Sequence, residues 1–293
     1  MKRRLKGIVV TVILSVTAII FIFPLILTVS NSFMSEAEIS NNYSMIGSTN
    51  SSGTSNDGST DNYAKLKLIP DVVEIGQYYE VLIKKSQFLL MFWNSVIIVV
   101  PIVAGQTIIS SMAAYAFAKL KFKGKNQLFF IYIIVMLMPF QVTLVPNYLV
   151  ADKFGLVNNY LSIIFPGIFN TFGVFLLKQY MEQIPDSYIE AAKMDGAGQF
   201  QIFFKVILPM CRNGIAAMFI LGFIDNWNMV EQPLIFLQDV QKQPLSVYLS
   251  KIIGGERGLA FAASSIYMLP VLLMFLYGEN YLIEGIQHSG IKE

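Results

Sequence analysis

The stretch Glu190–Pro209, EAAKMDGAGQFQIFFKVILP, is a polar, helix-prone insert set between long apolar segments. Glu190 suits the positive end of a helix dipole and is followed by Ala191 and Ala192, both strong helix formers. Asp195-Gly196-Ala197 supplies a break, because glycine alone turns freely at positive φ, and Leu208-Pro209 closes the segment. The spacing predicts a short helix, a bend, a second short helix and a stop. A segment of this polarity between apolar spans has to meet something outside a bilayer, and its shape suggests a docking element for a soluble partner.

The flanking sequence is that of an integral membrane protein. Apolar residues make up 55% and charged residues 14%, and the mean hydropathy is +0.57, well outside the range of ordinary soluble domains. A spanning helix needs roughly 20 mostly apolar residues. Five windows meet this requirement: residues 7–35, 86–118, 126–151, 154–177 and 259–278. A sixth is expected over residues 213–237, apolar to Ile224, interrupted by Asp225 and Glu231, and resuming through Pro233-Leu234-Ile235-Phe236-Leu237. The expected fold is therefore all-α with six transmembrane helices.

Orientation follows from Lys and Arg, which accumulate in cytoplasmic loops. Lys2, Arg3, Arg4 and Lys6 put the N-terminus inside, and after two crossings Lys119, Lys121, Lys123 and Lys125 fall on the same side with no acid among them. Residues 178–212 are then cytoplasmic as well, with Lys178, Lys193, Lys205 and Arg212, and the C-terminus also returns to the cytoplasm. The N-terminal apolar run is too long for a secretory signal and lacks a small-residue cleavage site, so an uncleaved first helix is expected. Cys211 is the lone cysteine, which excludes disulfides within the chain and cysteine-cluster metal sites.

Residues 48–62, STNSSGTSNDGSTDN, read as a low-complexity, disordered linker within an extracytoplasmic segment 36–85. Beyond it, Tyr78, Tyr79, Val81 and Leu82 suggest a short interfacial helix, a depth that aromatic residues favour. No internal repeat of the secondary-transporter kind is visible, which points to half a transporter. Pro24, Pro101, Pro139, Pro166 and Pro270 are expected to kink or end apolar helices; bent helices can line a path, though prolines are also common in membrane helices.

The pattern G-x-x-x-x-G-K-[ST] is absent, since Gly124-Lys125 is followed by Asn126 and Lys119 occupies the first-glycine position, so the chain is not expected to hydrolyse ATP itself. His288 is the lone histidine, which excludes H-E-x-x-H, and no G-x-S-x-G occurs. No cofactor is expected, and no nucleic-acid partner. Asp225, Trp227, Asn228, Glu231 and Gln232 belong to the most polar stretch of any expected span. A charge at the bilayer centre costs on the order of 3 kcal/mol on insertion scales, so these side chains should face the bundle interior, a partner or a watery cavity. At helical spacing Asp225, Asn228 and Gln232 share one face, a candidate pathway lining. The same residues equally suit a subunit contact or the outer interface.

Read in order, the insert has the pattern EAA, three residues, Gly, nine residues, I-x-LP, with Val206 at the isoleucine position. This resembles the signature loop of binding-protein-dependent ABC importer permeases. Asn94-Ser95, the run Ala114–Lys119 (AYAFAK), Pro139-Phe140-Gln141 with Pro146, Ile184-Pro185, Trp227-Asn228 with Pro233, and Gly285 with Gly290-Ile291-Lys292 extend the likeness to the carbohydrate branch, the maltose-transporter type of inner-membrane subunit, over about residues 66–293. The resemblance implies the type I ABC importer permease fold, with a transmembrane core over residues 86–284, a coupling loop at 182–209 and a cytoplasmic tail at 285–293. It implies a second permease subunit, cytoplasmic ATP-binding subunits and an extracytoplasmic sugar-binding protein as partners. It assigns contact with the ATPase to Glu190, Ala191, Ala192, Asp195, Gly196 and Ala197. Met229-Val230-Glu231-Gln232 departs from the usual apolar run after Trp-Asn, a departure that could tune substrate choice. Two other readings remain: a permease for a non-sugar solute, and a six-helix membrane enzyme or scaffold.

Overall fold

The computed structural model describes residues 2–43, 66–251 and 257–290, and the expected linker at residues 48–62 lies outside them. Among the described residues every regular element is helical. Helix α1 (Lys2–Asn31) is followed by α2 (Glu36–Tyr43), then α3 (Gly76–Tyr79), which widens into a π turn at Glu80–Lys84, and α4 (Ser86–Lys119). Next come α5 (Lys125–Met136), α6 (Phe140–Lys153), α7 (Leu161–Gly167) and α8 (Thr171–Glu182). The polar insert forms α9 (Ser187–Met194), then α10 (Gln199–Ile202), a π turn at Phe203–Ile207 and α11 (Leu208–Met210). The chain closes with α12 (Arg212–Trp227), α13 (Glu231–Phe236), a 3-10 turn at Val240–Lys242, α14 (Leu245–Lys251) and α15 (Arg257–Gly290).

Among the described residues four stretches are long and apolar enough to cross a membrane: Lys6–Asn31, Ser86–Lys119, Leu161–Glu182 and Arg257–Ile283. The number rises to six if the bent pairs α5/α6, at 99°, and α10–α11/α12, at 76°, each count as one crossing. Contacts divide the chain into two compact units, Met1–Leu89 with Leu249–Leu269, and Leu90–Tyr248 with Pro270–Glu293.

In the first unit the short helix expected near Tyr78 appears as α3 and its π turn, with Gln77 and Val81 buried. The segment after α1 is tied down by polar contacts. The Asn31 amide donates to the Tyr43 hydroxyl at 2.7 Å, the Ser32 and Tyr78 hydroxyls meet at 2.6 Å, and the Gln77 amide donates to the Met34 carbonyl. Lys67 pairs with Glu38 at 2.9 Å and with Asp71. Helix α1 has no buried residue in its apolar window.

The second unit departs from the expected spans where turn chemistry overrides hydropathy. The window 126–151 is broken, because Pro139 has extended backbone (φ −63°, ψ 139°) and opens α6 as its N-cap. The window expected over residues 154–177 starts as a turn instead: Gly155, at φ +66°, ends α6, with the Leu156 amide bonded to the Ala151 carbonyl at 2.8 Å and the Gly155 amide to Asp152 at 2.9 Å. This crossed pair of bonds is the glycine helix stop of the Schellman type. The stretch long and apolar enough to cross begins at Leu161 and runs on to Glu182, with Asn170 capping α8 by accepting from the Gly173 amide. The window 213–237 is not one helix either. α12 ends at Trp227, and Pro233, which in a continuous helix would clash with the Met229 carbonyl, sits in the first turn of the separate helix α13. The segment expected as a tail from residue 285 begins inside α15, while residues 291–293 and the His288 side chain lie outside the description.

Small residues let these helices approach closely, as they do in membrane interiors where packing replaces the hydrophobic drive. A Cβ on Gly214 would stand 2.8 Å from the Tyr180 ring, one on Gly173 2.9 Å from the Met218 sulfur, and one on Gly278 2.1 Å from the Ile220 Cδ1. Gln106 crosses between elements: its amide donates to the Gly167 carbonyl at 2.7 Å, and its Oε1 would lie 2.8 Å from a Cβ on Gly222. Overpacking such a site costs about 1–3 kcal/mol. Gly214→Leu is therefore expected to lower the thermal midpoint of the purified protein, whereas Gly7→Leu, where nothing lies within 4 Å, should leave it unchanged. Equal midpoints for the two variants would contradict this packing.

Candidate functional site: the polar insert and the broken helices

The insert folds as its residues suggest and presents two different faces. Glu190 lies in the first turn of α9. Gly196 takes φ +79°, its amide bonds the Lys193 carbonyl at 3.0 Å, and the Ala197 amide bonds the Ala192 carbonyl at 2.9 Å. This is again the crossed glycine stop, and Ala192 and Ala197 flank it on the side facing the protein core. A Cβ at Gly196 would meet nothing within 4 Å, so the requirement for glycine is conformational rather than steric. The second arm does not stop at Pro209. The proline ring would clash with the Lys205 carbonyl, the chain widens into the π turn at Phe203–Ile207, and the 76° bend comes at Cys211.

The inner face is anchored. Ile189, Ile202, Phe203, Ile207 and Cys211 are buried in one cluster with Ala114 and Tyr115 of α4, Leu177 and Met181 of α8, and Met218 of α12. Tyr115 donates its hydroxyl to Gln199 Oε1 at 2.9 Å while its ring lies 5.2 Å from that of Phe203. Lys119, at the end of α4 and only 6% exposed, donates to the Ile184 carbonyl at 2.5 Å and to Asp186 at 2.7 Å. That hydrogen bond, with the charge of the same ammonium, holds the Asp186 carboxyl below its ordinary value. Tyr115 and Lys119 were visible in the AYAFAK run, but nothing in spacing alone assigned them to the insert.

The outer face is bare. Tyr188, Glu190, Ala191, Lys193, Asp195, Gly196 and Phe204 are exposed, Met194 is 87% exposed and Phe200 73%. Ala191 thus points away from the chain, whereas Ala192 and Ala197 are partly covered by it. Exposed aromatic and methionine side chains beside three charged ones, Glu190, Lys193 and Asp195, make a surface fit for a protein contact.

The polar stretch after Ile224 is rearranged relative to the sequence reading. Because α12 ends at Trp227, Asp225, Asn228 and Gln232 do not share one helical face. Asn226 and Asn228 turn back on the helix, donating to the Gly222 carbonyl at 2.7 Å and the Ile224 carbonyl at 2.9 Å. Trp227 is buried, stacked on Phe223 at 5.4 Å and edge-on to Phe92 at 5.7 Å, and Gln232 is buried in α13. Asp225, Asn228 and Glu231 are exposed. The Glu231 carboxylate accepts from the Gln141 amide at 3.2 Å, so two helix breaks, at Pro139 and at residues 228–230, face each other across this pair. Asn94 and Ser95 support the same end: Asn94 donates to the Gln241 and Gln243 carbonyls at 2.6 and 3.1 Å, and Ser95 accepts from the Leu245 amide at 2.9 Å.

Comparison with known proteins places this geometry. Residues 106–280 match the family described as binding-protein-dependent transport system inner membrane component. The arabinooligosaccharides transport system permease protein AraQ of Halalkalibacterium halodurans is 30% identical over 76% of this chain and 81% of its own. The lactose transport system permease protein LacG of Rhizobium radiobacter is 30% identical over 68% and 74% of the two chains. The sn-glycerol-3-phosphate permease UgpE of Pectobacterium atrosepticum is 28% identical over 70% and 74%. A crystal structure of a bacterial ABC transporter involved in alginate import shares the fold, with a TM-score of 0.78, 24% identity and coverage of 96% of this chain and 98% of that one.

Asp186 gives the anchor a pH signature. Its folded carboxyl is held below the unfolded value, so the Lys119 tether contributes above the unfolded pKa and is lost as pH falls through the folded one. Protease nicking of the insert is expected to rise on acidification through that window in the native protein. In Asp186→Asn the rise should be absent, and cleavage already higher at neutral pH; matching acid profiles would contradict the tether.

Proposed function

The chain belongs to the family of binding-protein-dependent transport system inner membrane components, and we propose that it is one of two six-helix permease subunits of an ATP-driven bacterial importer of sugars. It is an inner-membrane transport component, and its relatives named for arabinooligosaccharides, lactose and glycerol 3-phosphate share one chemistry, a polyhydroxylated solute. The carrying observation is the two-faced insert, fixed to the membrane core on one side and bare on the other. In this reading both termini and the insert are cytoplasmic, α5/α6 is the third crossing and α12 with α13 the fifth. ATP hydrolysis resides in separate cytoplasmic subunits, and an extracytoplasmic protein delivers the sugar. The unburied helix α1 suits coverage by lipid and a second permease chain.

Mechanistically, closure of the ATPases pushes on Glu190, Ala191, Asp195 and the exposed ring of Phe200. Ala192, Gly196 and Ala197 keep the hairpin shape, and the buried arm passes the displacement to α4, α8 and α12. The pathway switches between two states biased by nucleotide and sugar. At the broken helices Asp225, Asn228 and Glu231, together with Gln141, offer carboxylate and amide groups to sugar hydroxyls, consistent with transporter sites built at discontinuous helices. Buried Trp227 and Gln232 support that rim from behind. A permease for a non-sugar solute is the second reading, favoured by the relative named for osmoprotective compounds.

Two variants test this. Gly196→Val forces a β-branched residue into positive φ, at a cost of about 1–2 kcal/mol, and is expected to abolish ATPase stimulation and uptake while the complex still assembles; normal coupling would sink the role of the hairpin. Glu231→Leu should change the range of sugars taken up with ATPase stimulation retained, and an unchanged range would remove Glu231 from the pathway.

A further inference from the structure

A groove of about 520 Å³ runs between the start of α12 and the later part of α15, both within the second unit. Its floor exists because Gly278 lets α15 come close to Ile220. The walls are Leu208, Phe219, Met274 and the rings of Tyr277 and Tyr281, with Arg212 at one end. From Arg212 to Phe219 the helix rises about 10 Å, at roughly 1.5 Å per residue, the depth from a headgroup into the upper part of an acyl chain. Tyr277 is 91% exposed, so the groove opens away from the protein.

Arg212 is exposed and makes no ion pair with Glu279 or any other described acid. As the first residue of a 16-residue helix, it sits where the macrodipole disfavours a cation and favours an anion. An unpaired guanidinium lining an apolar trough that two tyrosines also line is complementary to an amphiphile with a negative head. Basic pockets between membrane helices on the cytoplasmic side take anionic phospholipid headgroups. We propose that this groove binds one anionic phospholipid, its phosphate on Arg212 and the first part of an acyl chain between Phe219 and Met274. The lipid would fill the hinge side of the 76° bend at Cys211 and so brace the junction between insert and fifth crossing. The inner-leaflet assignment rests on the cytoplasmic placement of the insert.

The test uses the full chain in phosphatidylcholine vesicles, with a tryptophan probe at the groove (Tyr277→Trp) read against the same chain without it. Brominated phosphatidylglycerol is expected to quench the probe with about fivefold preference over brominated phosphatidylcholine, the scale of one basic residue at an anionic surface. Adding Arg212→Gln should bring the ratio to about one, and Arg212→Lys should retain part of it. A ratio of one without the Arg212 change, or one indifferent to it, overturns the proposal. So does the absence of quenching by either lipid, which would mean that protein covers the groove. Sidedness is read independently by impermeant maleimide on Lys121→Cys, as native Cys211 is buried: an outward-facing label overturns the orientation and leaves a measured lipid preference standing.

Discussion

The ammonium of Lys119, held between the Ile184 carbonyl and the Asp186 carboxylate, fixes where the polar insert leaves the membrane core, and the rest of the insert depends on that position. A nearly buried lysine is costly unless its charge is met. Here a backbone carbonyl and an acid both meet it, on the residues that lead into α9. With that end held, Ile189 and the second arm fall onto the ends of α4, α8 and α12, and Tyr115 fixes Gln199 from the same helix. The hairpin is then a rigid projection rather than a loose loop, which is the condition for passing on a push.

The opposite end of the second unit is shaped by another constraint. Hydrocarbon offers no hydrogen bonds, so a helix can break inside a membrane only where protein or a watery cavity satisfies the freed groups. The break at Pro139 and the break after Trp227 lie against each other, with Gln141 and Glu231 in contact, and Asn228 capping its own helix. Polar side chains collect where backbone polarity has to be met.

Much of this was legible because helix, glycine stop and proline act locally. The insert's two arms and the turn at Gly196 follow from the sequence, and so does the short helix near Tyr78. Hydropathy windows did less well at their edges. Phe154, Gly155 and Leu156 are apolar enough to extend a span, yet Gly155 ends α6; Pro233 divides what periodicity joined, and with it the supposed common face of Asp225, Asn228 and Gln232. The AYAFAK run resisted reading for a different reason. The roles of Tyr115 and Lys119 depend on partners 84 and 67 residues away, and no local rule of helix or turn encodes such contacts.

The central claim is that one face of the insert is anchored and the other meets the ATPase. Site-specific photocrosslinking in the assembled complex addresses it directly, with the probe placed at Met194, 87% exposed, or at Ile202, fully buried. The account predicts a crosslink to an ATP-binding subunit from position 194 and only intrachain products from position 202. A crosslink to that subunit from position 202, or none from position 194, would contradict it.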